Sequence, residues 1–182
     1  MSIKYKFRNP DGCYFVTYVV VGWVDVFTRN TYKDILIESW RYCQQQKGLL
    51  IHAYVIMTNH IHMLISRNST SLLEDIMRDM KKYTSASILR AIKTKPESRS
   101  EWMLNIFSQA GLKNSNNTKY QFWQQDNHPI ECDTPNILEQ KMEYIHENPV
   151  RAGFVEKAED WICSSAGDYY CNRKGLIELS YV

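Results

Sequence analysis

The pattern of hydrophobic residues predicts an α+β fold in which helices lie mainly on one face of an antiparallel sheet. Apolar segments alternate between strand-like and helix-like periods in the order β-α-β-β-α-(β)-α, and only Thr58 and Asn59 separate the two central strands. A closely joined strand pair between β-α units is typical of the split-βαβ, ferredoxin-like sheet. We expect the second face of this sheet to be open to solvent and ligand.

The first predicted strand and helix are identified by composition and by end signals. Cys13 to Trp23 is rich in β-branched and aromatic residues, which favours a strand. Thr31 to Lys47 has apolar residues at helical spacing, with Thr31 placed to cap the helix and Gly48 just past its end. The chain therefore begins with a β-α unit.

A β-hairpin and a long helix follow. Leu49 to Met57 and His60 to Ser66 are apolar runs on either side of the two-residue connection, so we expect them to pair antiparallel. Ser69 to Ile92 carries an apolar stripe with a period of 3.6 residues. Ser71 and Glu74 have the spacing of a capping box at the start of this helix.

The second half of the chain has weaker signals until its last helix. Trp102 to Ala110 predicts a short helix, Gly111 to Tyr120 a polar loop, and Gln121 to Ile130 a short strand or extended segment. Thr134 to Glu147 predicts a helix with an N-cap threonine and a first-turn proline, which Asn148-Pro149 should end.

Length and composition predict one ordinary globular domain over residues 1–182, with a core of about 13–149 and a C-terminal extension over 150–182. No segment resembles a signal peptide or a membrane span, so we expect no membrane partner. The five cysteines are scattered without a C-x-x-C pair, which disfavours a disulfide framework or zinc ribbon. We expect a cytoplasmic protein with reduced cysteines.

Two histidines share one face of the third predicted strand. Side chains repeat their direction every two residues in a strand, so His60 and His62 project together while Ile61 and Met63 point the other way. Two imidazoles on a rigid strand make half of a site for a divalent metal. The alternative is that both are strand histidines without a chemical role.

A second candidate pair lies late in the last predicted helix. Tyr144 and Asn148 are separated by four residues, so their side chains lie on one helical face. If this face meets the histidines, the imidazoles and the Asn148 amide oxygen can hold a divalent ion, and Tyr144 can act as a covalent nucleophile. Mixed nitrogen and oxygen ligands suit Mg²⁺ or Mn²⁺ in the cell.

These segments resemble a known family. Tyr54 to Ile65 (YVIMTNHIHMLI) resembles the HUH motif, histidine-hydrophobic-histidine, of the IS200/IS605-type single-tyrosine transposases. Phe122-Trp123-Gln124, Tyr144 to Gly153 (YIHENPVRAG) and Trp161 to Ser165 (WICSS) are similar to the REP-associated branch of that family. The resemblance extends from about Cys13 to Tyr170, nearly the whole chain.

The resemblance implies a ferredoxin-like enzyme that binds single-stranded DNA beside a DNA hairpin and cleaves it with Mg²⁺ or Mn²⁺. By this resemblance Tyr144 is the catalytic tyrosine, His60 and His62 are metal ligands, and Asn148 is the third ligand, where relatives use glutamine. Cleavage would leave a 5′-phosphotyrosine and a free 3′-hydroxyl, which can reverse the reaction. Relatives act as homodimers or as monomers, and both are open for this chain.

Other residues are candidates for contacts to DNA or for proton transfer. Lysine and arginine on the long helix are reasonable phosphate contacts, since a DNA binder must neutralise backbone charge. Trp123 is either a core residue or a platform for a base, and Gln124 is expected near the site. His128 and His146 are candidates for proton transfer, although a surface position is expected for each. The predicted DNA contacts are Arg78, Lys81, Lys82, Trp123 and Gln124.

Three alternatives share these residues. One is a domesticated HUH nuclease that nicks and rejoins DNA for its host. The second is a hairpin-DNA-binding protein that has lost catalysis, which the intact His60, His62 and Tyr144 argue against. The third is a metal hydrolase in which the histidines activate water and the tyrosine is incidental.

Overall fold

A four-stranded antiparallel sheet forms the centre of the protein in the computed structural model, which describes residues 7–114, 119–125 and 129–181. Its strands are β1 (Tyr14–Val19), β2 (Leu49–Ile56), β3 (His60–Arg67) and β4 (Ile130–Glu131). Their order in the sheet is β2-β3-β1-β4. This order and the β2-β3 hairpin are those of the split-βαβ sheet, so the predicted ferredoxin-like α+β fold is confirmed.

Within the described residues, five α-helices surround the sheet. They are α1 (Asn30–Lys47), α2 (Leu73–Thr94), α3 (Ser100–Leu112), α4 (Pro135–Arg151) and α5 (Ala166–Tyr170). Short 3₁₀ turns cover Val21–Trp23, Val26–Thr28 and Ala158–Asp160. No helix in the described part of the chain is long and apolar enough to cross a membrane.

The first strand and the helix starts differ from the sequence prediction. β1 ends at Val19 because Gly22 and Trp23 adopt φ angles of 66° and 54°, which break the extended backbone. Neither α1 nor α2 has the predicted side-chain cap at its N-terminus, since both begin after a residue that makes no such hydrogen bond. Gly48 ends α1 as predicted, in the left-handed region at φ 67°.

The helix α4 continues through Pro149 to Arg151, so the prediction that Asn148-Pro149 ends it is wrong. A proline in the last turn removes only one of the final backbone hydrogen bonds, and Pro149 is buried. Thr134 caps α4 as predicted by accepting a hydrogen bond from the Ile137 N–H. The extended segment before α4 is reduced to a bridge between Val20 and Trp123 and the two residues of β4, and His128 lies outside the described residues.

The two faces of the sheet are covered by different helices. Ile61 and Met63 belong to the main core with α1, α2 and α3. A smaller apolar cluster packs α4 against the other face through Phe15, Ala53, Val55, Met57, Leu64, Cys132 and Ile145. The expectation that this second face is open is therefore wrong, because α4 covers it.

Candidate active site

The two histidines lie at the start of β3, on the face that α4 covers. Their ring centroids are 4.8 Å apart. His60 is half-buried and opposite Val19 of β1, whereas His62 is 5% exposed and opposite Thr17. The structure therefore brings the two imidazoles together as the two-residue spacing predicts.

Hydrogen bonds orient both imidazole rings through their Nδ1 atoms. The Asn59 Nδ2 group donates to Asp25 Oδ1 at 3.0 Å, which turns Asn59 Oδ1 towards His60 Nδ1 at 2.8 Å. An amide oxygen only accepts, so His60 Nδ1 carries the proton and Nε2 keeps its lone pair. His62 Nδ1 lies 2.7 Å from Thr17 Oγ1. Both rings are held by partners of the kind that orient metal ligands.

Burial keeps both histidines neutral. The pKa of His62 is lowered to about 3, mainly by burial and in smaller part by charge repulsion from His60 and Lys141. The pKa of His60 is also lowered by burial, although a side-chain hydrogen bond with Asn148 opposes this effect. Neutral imidazoles retain the lone pair that a metal ion needs.

Tyr144 lies beside the histidines on the solvent side of the site. Its ring centroid is 5.2 Å from that of His62 and 5.8 Å from that of Phe15, and the residue is 36% exposed. The Arg151 guanidinium lies 5.6 Å from the ring of Tyr144. The tyrosine is thus packed on one side while its position leaves it accessible to a ligand.

One face of α4 carries four polar residues towards the site. Lys141, Tyr144, Asn148 and Arg151 follow each other at intervals of three or four residues, which places them along a single helical face. The Lys141 ammonium lies 5.1 Å from the ring of Phe15, and Asn148 contacts His60. Two cations therefore flank the tyrosine and the amide.

His146 points away from this face, as its two-residue offset from Tyr144 predicts. It is fully buried, and its ring nitrogens lie 2.8 Å from Ser165 Oγ and 3.0 Å from the Tyr170 hydroxyl. Burial lowers its pKa to about 4. The prediction of a surface position for His146 is wrong, since the buried ring joins α4 to the C-terminal segment.

That C-terminal segment pairs with the outer edge of β2. The Ile56 N–H donates to the Cys163 carbonyl at 2.8 Å, and the Ser165 N–H donates to the Tyr54 carbonyl at 3.0 Å. The Trp161 indole N–H donates to the Ile56 carbonyl at 3.0 Å. The W-x-x-S-S motif therefore covers an otherwise unpaired strand edge, and through Ser165 it fixes the position of α4 over the sheet.

The residues at this site fit a divalent ion. The donor set is two neutral imidazoles and the amide of Asn148, beside the partly exposed Tyr144. In the described ranges, no group of three histidine, cysteine or acidic side chains is placed to bind a metal, so a third protein ligand would come from another residue type. Asn148 is the residue of that kind beside His60.

The predicted DNA-contact residues gather away from the histidines, along α2. A groove of about 770 Å³ lies between α2 and residues 119–125. All five predicted residues line it: Arg78, Lys81, Lys82, Trp123 and Gln124. The Gln124 N–H donates to the Val19 carbonyl at 2.8 Å, and Val19 is opposite His60 in the sheet, so the groove reaches the histidine end of β1.

The side chains of three of these residues have partners within the protein. Trp123 is 6% exposed and its indole N–H donates to Thr84 Oγ1, so of its two alternatives, core residue or platform for a base, the core position is confirmed. Arg78 forms ion pairs with acidic neighbours on α2. Lys81 donates to the Gln124 carbonyl at 3.1 Å. The internal contacts of Arg78 and Lys81 thus reduce the positive charge that this groove has available for a ligand.

Sequence reasoning missed several residues at the site. Thr17 alternates with core residues in β1, and this period of two would have placed it on the histidine face. Lys141 and Arg151 have helical spacing to Tyr144, which would have been sufficient to identify them. Trp23 lies in an irregular turn, and no periodic signal predicts its position beside His60.

Comparisons with known proteins identify a sequence family and a similar fold. A sequence model of the family described as "Transposase IS200 like" matches residues 16–111, which include His60 and His62 but neither Tyr144 nor Asn148. No curated protein sequence matches the chain. The structure of a REP-associated tyrosine transposase bound to a REP hairpin is similar over 99% of this chain and 92% of that chain, with a TM-score of 0.64 and 16% identity.

A second solved structure, a candidate transposase from Deinococcus radiodurans R1, is 16% identical to the chain. Its TM-score is 0.45, with 81% of this chain and 97% of that chain covered. At these levels of identity, the likeness to the REP-associated enzyme concerns the fold alone.

Proposed function

Because the chain belongs to the IS200-like transposase family, we propose that it is a metal-dependent single-tyrosine enzyme that cleaves and rejoins single-stranded DNA beside a DNA hairpin. The observation that carries this proposal is the meeting of His60, His62 and Tyr144 on one face of the sheet, with Asn148 against His60. Two distant segments of the sequence supply these residues, and α4 brings them together.

The proposed reaction is a transesterification. The Tyr144 oxygen forms a bond to the phosphorus of a phosphodiester, and the bond from phosphorus to the 3′ oxygen breaks. The phenol loses its proton, and the leaving 3′ oxygen gains one. The product is a 5′-phosphotyrosine with a free 3′-hydroxyl. One phosphoester replaces another, so the 3′-hydroxyl of the same or another strand can reverse the step.

The chain's own residues have separate parts in this proposal. Asn59 and Thr17 orient the imidazoles, while Lys141 and Arg151 are placed to balance the charge of the phosphate beside Tyr144. His60, His62 and Asn148 would hold Mg²⁺ or Mn²⁺, which as a Lewis acid would polarise the phosphodiester. Thus α4 contributes the nucleophile and the cations, and β3 contributes the imidazoles.

Two observations support hairpin-bearing DNA as the substrate. The structurally similar REP-associated transposase is bound to a REP hairpin. In addition, the groove beside α2 is lined by Lys82 and Lys119 together with the paired cations Arg78 and Lys81, and it leads to the histidine end of β1. A hairpin stem in this groove would leave its single-stranded flank near Tyr144.

The test is a covalent-adduct assay on DNA hairpins with randomised single-stranded flanks. The DNA carries a label at the 5′ or the 3′ end, and the reaction contains Mn²⁺ or EDTA before denaturing protein electrophoresis. We expect a Mn²⁺-dependent adduct that retains only the 3′-labelled part of the DNA. Cleaved DNA without an adduct would indicate a hydrolase, and binding without cleavage would indicate a non-catalytic binder.

A further inference from the structure

Trp23 is exposed at the edge of the candidate active site in an unfavourable backbone conformation. It is 58% exposed and has a φ of 54°, in the left-handed region that bulky residues rarely adopt. Such a conformation is energetically unfavourable and persists where the surrounding structure enforces it. Strained residues of this kind gather at functional sites.

The turn that carries Trp23 is fixed on several sides. The Val21 N–H donates to the Phe122 carbonyl at 2.8 Å, and the Trp23 N–H donates to the Val20 carbonyl at 3.0 Å. Gly22 has a φ of 66°, and a Cβ there would lie 3.0 Å from Ile106 of α3. The backbone therefore holds the indole at a set place although the ring itself is largely in solvent.

That place is directly beside a candidate metal ligand. The ring centroids of Trp23 and His60 are 6.0 Å apart and the planes meet at 73°. The Trp23 carbonyl also accepts a hydrogen bond from Asn59 Nδ2 at 3.4 Å, and Asn59 orients His60. Trp23 is 58% exposed beside this contact, so much of the indole surface is open to a flat group.

We propose that Trp23 is a stacking platform for a nucleobase of the single strand next to the phosphate that Tyr144 attacks. This inference rests on the proposed function, since it needs a single strand at the site. An exposed, pre-positioned indole suits a base of any identity, because every base has a π face. Trp123, the tryptophan that the sequence analysis named as one candidate for this role, is buried and hydrogen-bonded in the core.

The test measures binding of a randomised single-stranded DNA pool, in EDTA so that the strand stays intact. Trp23→Asn removes the ring and keeps a residue that tolerates the left-handed backbone. We expect binding to weaken about 5- to 150-fold, the range that loss of one base stack produces. Trp23→Tyr should recover most of the affinity. Trp102→Asn is the matched control, because Trp102 is 53% exposed on the regular helix α3.

A strand of abasic residues separates stacking from charge. It should bind the wild-type protein and Trp23→Asn equally, since no base is present to stack. Equal binding of the randomised pool by the wild type and Trp23→Asn would overturn this inference while the adduct assay still decides the proposed function. Failure of the wild type to bind the pool would overturn the inference and the single-strand part of the proposed function together.

Discussion

On one face of β3, Ile61, Met63 and Ile65 are fully buried against helices of the main core, whereas on the other face His60 and His62 lie beneath the single helix α4. The first face contains apolar side chains packed on several helices. The second has a small apolar cluster with polar groups at its border, including Thr17 beside His62. The same strand thus serves stability on one side and, in the proposed function, chemistry on the other.

This difference shows how one face of a strand can hold polar side chains in fixed positions while the other face is packed in the core. The main core fixes β3, so the histidines on the reverse side are held by a backbone that does not depend on the site itself. The second face needs only enough apolar contact to seat α4, and Ile145 supplies part of it. Substitutions on the two faces should therefore separate activity from stability.

The largest expected effect is on catalysis by Tyr144→Phe. Loss of the hydroxyl removes the proposed nucleophile, so strand cleavage should fall at least about 10³-fold while DNA affinity and Tm stay unchanged. Cleavage is measured on labelled hairpin DNA and affinity by filter binding. Tyr83→Phe, an exposed tyrosine on α2, is the matched control and should cleave normally. Normal cleavage by Tyr144→Phe would refute the tyrosine assignment.

A pair of substitutions on β3 tests the contrast between the faces. His60→Ala should lose about 10²-fold or more of Mn²⁺-supported cleavage with little change in the free energy of unfolding, because this ring is only half-buried. Met63→Ala should lower that free energy by about 2–5 kcal/mol, through the cavity it leaves, and keep cleavage below its melting temperature. Urea unfolding and cleavage assays on both variants measure the two effects. A large loss of stability in His60→Ala, or a loss of cleavage by folded Met63→Ala, would contradict the account.

A smaller effect is expected from the third proposed ligand. Asn148→Ala removes the amide beside His60 and should weaken Mn²⁺ binding about 100-fold, whereas Asn148→Gln keeps an amide oxygen and should retain more affinity. Calorimetric titration with Mn²⁺ gives the affinities. Glu147→Ala, on the adjacent position of α4, serves as the control. Unchanged Mn²⁺ affinity in Asn148→Ala would exclude this residue as a ligand.

The smallest expected effect comes from the group that orients His62. Thr17→Val preserves shape but removes the 2.7 Å hydrogen bond to His62 Nδ1. Loss of such an orienting partner should weaken Mn²⁺ affinity about 10-fold without abolishing cleavage. The same titration measures it. If Thr17→Val abolished all cleavage at saturating Mn²⁺, Thr17 would have a role beyond orientation.

Local spacing was sufficient to predict much of the site. The period of two in β3 placed His60 and His62 together, and the i, i+4 spacing placed Tyr144 and Asn148 on one face of α4. The β-α-β-β-α order was sufficient for the sheet topology. These features follow from the side-chain periods of strands and helices, which can be read from a single sequence.

Non-local packing accounts for what the sequence could not predict. The position of α4 over the second face depends on contacts such as His146 with Ser165, which join segments distant in sequence. The burial of Trp123 depends on its place beneath α2, and the exposure of Trp23 depends on a left-handed turn. The unused caps at Thr31 and Ser71 show that tertiary contacts outweigh weak local end signals.

The covalent link itself tests the central claim most directly. Trypsin cuts after Lys141 and Arg151, so Tyr144 lies in the peptide MEYIHENPVR as its single tyrosine. The adduct formed with Mn²⁺ and hairpin DNA is digested with nuclease and trypsin, and the peptides are analysed by mass spectrometry. The account predicts this peptide with a nucleotide attached through phosphate to Tyr144. Attachment to another residue, or cleaved DNA with this peptide unmodified, would contradict it.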